Sequence, residues 1–186
     1  MKSVEIDRTK RLRDEPHTGH NRWHPNVEPV LEVEVGEDVM LQTRDASDGQ
    51  VFFGATIQDL SGSARGVVHP LTGPVYIKGA ERGDLLEIVH VDIIPEATGW
   101  TRINPGLGFL RDVFTTPYLV HWELNDDVAI TASLPNVRIP SGCFMGTAGL
   151  APSYEQLKRW TLREADLLAK GGFVLPPDPT DAVPID

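Results

Sequence analysis

The first regular alternation of apolar and polar positions runs through residues 30–43. Val30, Leu31, Val33 and Val35 lead to a turn at Gly36-Glu37-Asp38, and Val39, Leu41 and Thr43 then alternate with other residues. Side chains two apart share one face of a strand, so the pattern predicts strands around a tight turn. A short strand is expected after Pro74, followed by a turn over residues 79–84 and an apolar run over residues 85–94. Near its end that run alternates, with His90 and Asp92 facing away from Val89, Val91 and Ile93. Residues 95–99 read as a turn and 100–114 as a glycine-containing loop. Residues 118–124 form a strand rich in β-formers, a hairpin-like turn follows at Asn125-Asp126-Asp127, and Val128, Ile130 and Ala132 continue the alternation.

One helix stands out. Ser153-Tyr154-Glu155-Gln156 is a capping box, Leu157, Trp160, Leu167 and Leu168 fall near one face, and Gly171-Gly172 ends the segment. Residues 1–26 read as an irregular, charged opening and 54–66 as an irregular connection. The tail 173–186, with Pro176, Pro177, Pro179 and Pro184, reads as an extended linker or docking arm. Many short strands, Gly/Pro turns and one late helix (about 153–170) predict a mainly β fold built as a sandwich, over residues 1–172.

Composition narrows the function classes. The 186 residues suffice for one well-buried core or two small ones. A net charge of -10 argues against a nucleic-acid partner, which normally meets a basic face. No apolar run approaches the ~20 residues that cross a bilayer. The charged start lacks the apolar core of a secretory signal, and the single Cys143 excludes an internal disulfide, so the cytoplasm is the expected location.

Several polar residues carry candidate chemistry. Asp45, Asp48 and Gln50 at a strand end suit binding a cation or orienting a water; the alternative is a self-capping Asp-rich turn. The corner His69-Pro70-Leu71-Thr72-Gly73-Pro74 presents an imidazole and a hydroxyl from a stiff backbone, or else Thr72 merely caps a turn. His20 and His24 are four apart, but Pro25 argues against the helix that would pair them on a metal. His90 reads as solvent-facing and His121 as a satisfied, partly buried histidine. Cys143 reads as a small buried thiol and not a nucleophile, because no Cys–His pairing is signalled.

That corner, followed by Ile77-Lys78-Gly79-Ala80-Glu81-Arg82-Gly83-Asp84, resembles the central signature of the acetamidase/formamidase family, whose members hydrolyse small amides to ammonia and a carboxylate. His20-Asn21-Arg22-Trp23-His24-Pro25 is similar to the opening segment of its formamidase-like branch. Asn104-Pro105-Gly106-Leu107-Gly108-Phe109-Leu110 and the glycine-rich residues 137–153 match further family segments. The resemblance runs from about Trp23 to about Gly172 and corresponds to the N-terminal half of a family member. The family's later Gly-Asp-x-His…Gly-Asp-Gly-Glu segment has no counterpart here.

The resemblance implies a jelly-roll-like two-sheet sandwich and metal-assisted hydrolysis of formamide or acetamide, with a divalent metal, zinc first. It implies catalytic roles for Asp45, Gln50 and Thr72, substrate contacts for His69, Gly73 and Gly146, and metal ligation by Asp45 and His69. The acetamidase-like branch carries Asn at the position of His69. The general base is expected in the missing half, supplied by a second polypeptide in a homo- or hetero-oligomer. A split enzyme, a cleaved precursor and a non-catalytic binding or assembly half all fit the pattern.

Overall fold

A computed structural model describes residues 1–125, 127–174 and 178–185. The chain divides into two compact units. The first comprises Met1–Gly49, Ala64–Leu86 and Thr147–Asp186, the second Gln50–Ser63 and Glu87–Gly146. Among the described residues the fold is mainly β with a single α-helix, the expected class.

The first unit holds β1 (Lys2–Val4), β2 (Gly19–His20), β3 (Leu31–Val33), β4 (Val39–Leu41), β5 (Leu71–Thr72) and β6 (Val75–Ile77). They pair as three two-stranded ladders: β1 parallel to β4, β3 parallel to β6, and β2 antiparallel to β5. Parallel pairs need long connections, and here both span more than thirty residues, Lys2 facing Val39 and Leu31 facing Val75. The opening is not wholly irregular: β1 and β2 become strands once β4 and β5 arrive. Gly19 is required where β2 meets β5, because a Cβ there would stand 2.2 Å from the Leu71 carbonyl oxygen. Val4, Leu12, Val33 and Val183 are buried apolar residues of this unit.

Helix α1 (Tyr154–Ala169) also belongs to the first unit and ends as the sequence foretells. The Ser153 hydroxyl accepts from the Gln156 amide at 3.1 Å. At the other end Gly171, with φ of 80°, donates to Leu168 and Gly172 to Leu167, the paired bonds of a Schellman stop. The capping box is only half closed, because the Gln156 side chain bonds Arg159 instead. No residue of α1 is buried.

The tail returns to the same unit. Val183 is buried, its amide donates to Asn21 Oδ1 at 2.8 Å, and the Asn21 side chain donates to the carbonyls of Asp181 and Gly66. Pro176 and Pro177, part of the proline-rich stretch read from sequence, lie outside the described residues, as does Asp126 of the expected hairpin turn.

The second unit is one antiparallel sheet of β7 (Thr98–Ile103), β8 (Tyr118–Leu124), β9 (Val128–Ile130) and β10 (Arg138–Pro140), in the order β10-β9-β8-β7. Pro140 lacks an amide proton, and its strand lies at the edge, where that loss is tolerated. Residues 98–103 were expected in a turn and loop. They form a strand because β8 supplies a full six-residue register and the Trp122 indole donates to the Thr101 hydroxyl at 3.0 Å. Val51, Ala55, Val120 and Trp122 form the small core. Residues 54–66 are irregular, as expected.

One expected strand is missing. Residues 85–94 adopt no regular structure, and among the described residues no backbone hydrogen bond joins them to another strand. Alternation prepares a segment for a sheet, but the ladder needs a second strand, and none of the described residues provides it.

Candidate active site

The end of β4 delivers Arg44 and the acidic loop behind it. Asp45 is exposed, and its Oδ1 accepts from the Ser47 amide at 2.8 Å, from the Ser47 hydroxyl and from the Gly49 amide at 3.4 Å. This is the self-capping turn that the sequence left open as an alternative. Its backbone reverses through left-handed Asp48 (φ 56°) and Gly49 (φ 73°), which turns the Asp48 carboxylate inward. Asp48 is 4% exposed and accepts from the Leu12 amide at 2.9 Å. Burial pushes its carboxyl above the usual range, with the Leu12 amide and Arg44 pulling the other way.

Arg44 is the hub beneath this loop. Its guanidinium donates to the carbonyls of Asp7 (3.3 Å) and Lys10 (2.5 Å), to Glu15 Oε2 at 2.5 Å and to the Thr18 hydroxyl at 3.4 Å. The side chain is 6% exposed, so the ion pair with Glu15 is screened little by solvent. The Asp7 amide, and then Arg44, hold the Glu15 carboxyl below its ordinary value. Sequence reading passed over Arg44, Glu15 and Thr18. Arg44 directly precedes Asp45, but its partners sit 26 to 37 positions earlier, and only the β1–β4 pairing brings them together.

The signature corner packs against the same loop. His69 is left-handed (φ 58°), and its amide donates to the Ala46 carbonyl at 2.8 Å, while the residue itself stays exposed. The Thr72 hydroxyl donates to the Gln42 carbonyl at 2.6 Å, leaving its oxygen free to accept. Gly73 is buried at φ 129°, a conformation closed to other residues, and its amide donates to the Thr18 carbonyl at 3.4 Å. Asp45, His69, Thr72 and Gly73 thus share one region of the first unit. Gln50 (half-buried) and Gly146 (exposed) belong to the second. A Cβ on Gly146 would meet nothing within 4 Å, so no close backbone approach explains that glycine.

The other candidates resolve locally. His20 is buried with Nδ1 2.6 Å from the Arg22 carbonyl and its ring edge-on to Trp23, and His24 Nδ1 accepts from the Asn26 amide at 3.1 Å. Burial lowers the His20 pKa. His90 is exposed, and His121 places Nε2 2.8 Å from the Ala55 carbonyl beside Phe53. Cys143 is exposed and not buried, because residues 141–150 all lie on the surface. Trp23 docks its segment as expected, its indole lying where a Cβ on Gly149 would stand at 2.9 Å.

A resident divalent metal needs three or more protein donors. Among the described residues no group of three His, Cys, Asp or Glu is placed to hold one. Asp45 and His69 alone do not make that set. No helix of the described residues is long and apolar enough to cross a membrane.

Known proteins place this arrangement. The chain is 30% identical to the acetamidase of Mycolicibacterium smegmatis over 92% of its own length and 46% of that protein's. It is also 30% identical to the formamidase of Methylophilus methylotrophus, over 94% of this chain and 44% of that one. In structure it is similar to a gamma lactamase from Delftia acidovorans, with a TM-score of 0.85 and 28% identity over 98% of this chain and 48% of the other. The chain therefore spans about half the length of the relatives it matches. The sequence model of the Acetamidase/Formamidase family matches residues 5–186, nearly all of the chain, and the chain belongs to that family.

Proposed function

We propose that this chain is the N-terminal half of an amidase that hydrolyses a small linear amide, formamide or acetamide, to ammonia and a carboxylate, and that it acts with a second polypeptide carrying the other half. The observation that carries this reading is the 2.8 Å bond from the His69 amide to the Ala46 carbonyl, which joins the family's signature corner to its acidic loop. The reading places the enzyme in the cytoplasm as a homo- or hetero-oligomer.

In the reaction, water adds to the amide carbonyl carbon, the C–N bond breaks, and ammonia leaves with a proton. Asp45 orients the attacking water. Thr72 holds a polar atom of the substrate, His69 lines the pocket, and Gly73 leaves room for it. The general base comes from the other half. So do the donors that complete any site for a divalent ion, zinc first.

Asp45→Asn keeps the acceptor that caps Ser47, so the fold is retained. It should lower ammonia release from formamide by about 100-fold in the assembled enzyme, the scale of lost acid–base assistance, with an unchanged circular dichroism spectrum. Unchanged turnover would remove Asp45 from the chemistry. A non-catalytic binding or assembly subunit is the alternative. It is favoured by the occupied Asp45 oxygen and by the incomplete donor set among the described residues.

A further inference from the structure

Residues 87–94 of the second unit, Glu-Ile-Val-His-Val-Asp-Ile-Ile, carry five β-branched apolar side chains in eight positions, the composition of a strand. Val89, Val91 and Ile93 share one face of that strand. Yet on that face Val89 is 69% exposed and Val91 80%, while Ile93 is half-buried. Among the described residues, the backbone from 87 to 94 makes no hydrogen bond to another strand. A bare apolar segment with a strand's composition is a template for pairing with another chain. A folded protein keeps one only where something covers it.

The geometry points to a strand-addition site: we propose that residues 87–94 join the edge of a sheet supplied by the polypeptide that corresponds to the other half of the relatives. Backbone hydrogen bonds would form along the segment, and the Val89/Val91/Ile93 face would be set into that partner's core. Chain length selects this occupant. The chain spans only 46% of the acetamidase and 48% of the gamma lactamase it matches, so more than half of a relative's polypeptide is left to provide the missing strand. The inference rests on the two-polypeptide reading above and names the surface by which the second polypeptide is held.

The test isolates the tagged chain from its own host, identifies what accompanies it by mass spectrometry, and follows amide hydrogen exchange before and after the complex is separated. The expected result has three parts. A polypeptide matching the remainder of the family co-purifies. Amides 88–94 exchange at least 100-fold more slowly in the complex than in the separated chain. Val89→Lys combined with Val91→Lys releases the partner while the β7–β9 amides stay protected as in the parent chain. The proposal falls if amides 88–94 exchange equally fast in both states, if the lysine variant keeps its partner, if no such polypeptide accompanies the chain, or if the segment is protected by a second copy of the chain itself. Formamide hydrolysis is assayed on the same complex. Protection without ammonia release would retain the docking site and remove the amidase reading. Ammonia release with 88–94 unprotected would do the reverse.

Discussion

Around Arg44 the first unit closes on itself, whereas residues 87–94 and 107–114 of the second hold apolar side chains in the open. Both regions draw on ordinary residues. The Arg44 guanidinium finds two carbonyls, a carboxylate and a hydroxyl within the unit, and Leu12 of the same unit is only 2% exposed. By contrast Ile88, Val89, Val91, Phe109, Leu110 and Val113 are each more than half exposed. The difference is one of partners. A cation that has left water must meet its counter-charges inside the protein or the unit does not form. Exposed apolar side chains forgo a gain without unfolding what they sit on, so they can await a partner.

The most direct way to break that comparison is Arg44→Ala. It strips the Asp7 and Lys10 carbonyls and the Thr18 hydroxyl of a buried donor and should cost about 2–3 kcal/mol. For a chain of this size that lowers Tm by roughly 5–10 °C, measured by calorimetry. A shift under about 2 °C would show that solvent already reaches the hub.

Acid sharpens the picture, because the two carboxylates of the hub have opposite signs. The Glu15 pKa is lowered in the fold, so its contribution is present above its ordinary 4.5 and is lost as pH falls through the lower folded value. The Asp48 pKa is raised, so its contribution is present below 3.8 and is lost as pH rises through the higher folded value. Asp48→Asn keeps an acceptor for Leu12 and tolerates the left-handed backbone. Urea midpoints should therefore rise for this variant at pH 7, with the advantage fading toward pH 3.8. An unchanged midpoint at pH 7 would mean that Arg44 fully offsets the burial.

The smallest effect belongs to the open region. Phe109→Lys, and Leu168→Lys on the equally unburied α1, should each change stability by less than about 0.5 kcal/mol by urea titration. A loss of about 2 kcal/mol at either position would mean that the isolated chain does bury it.

Local signals were legible in proportion to how local their physics is. Helix α1 was visible from its caps and stripe because both ends are decided within a few residues by Ser153, Gly171 and Gly172. The β8 strand was visible because β-formers dominate it. The β7 strand was missed, and residues 85–94 were expected to pair and do not, because pairing depends on a second segment that no local pattern contains. At the candidate site, Asp45 and the corner from His69 to Gly73 stood out by motif. Arg44, Glu15 and the inward turn of Asp48 did not, since their roles exist only once β1 and β4 lie side by side.

By itself, then, the sequence determined the mainly β class, the helix and its boundaries, the rigid corner and the family to which the chain belongs, each through interactions among neighbouring residues or an unbroken motif. The tertiary structure alone decided that Arg44 is a buried hub, that Asp48 turns away from solvent while Asp45 stays outside, that the tail folds back onto Asn21, and that residues 87–94 meet no strand among the described residues. Those outcomes turn on which distant segments meet, and on whether burial is compensated when they do.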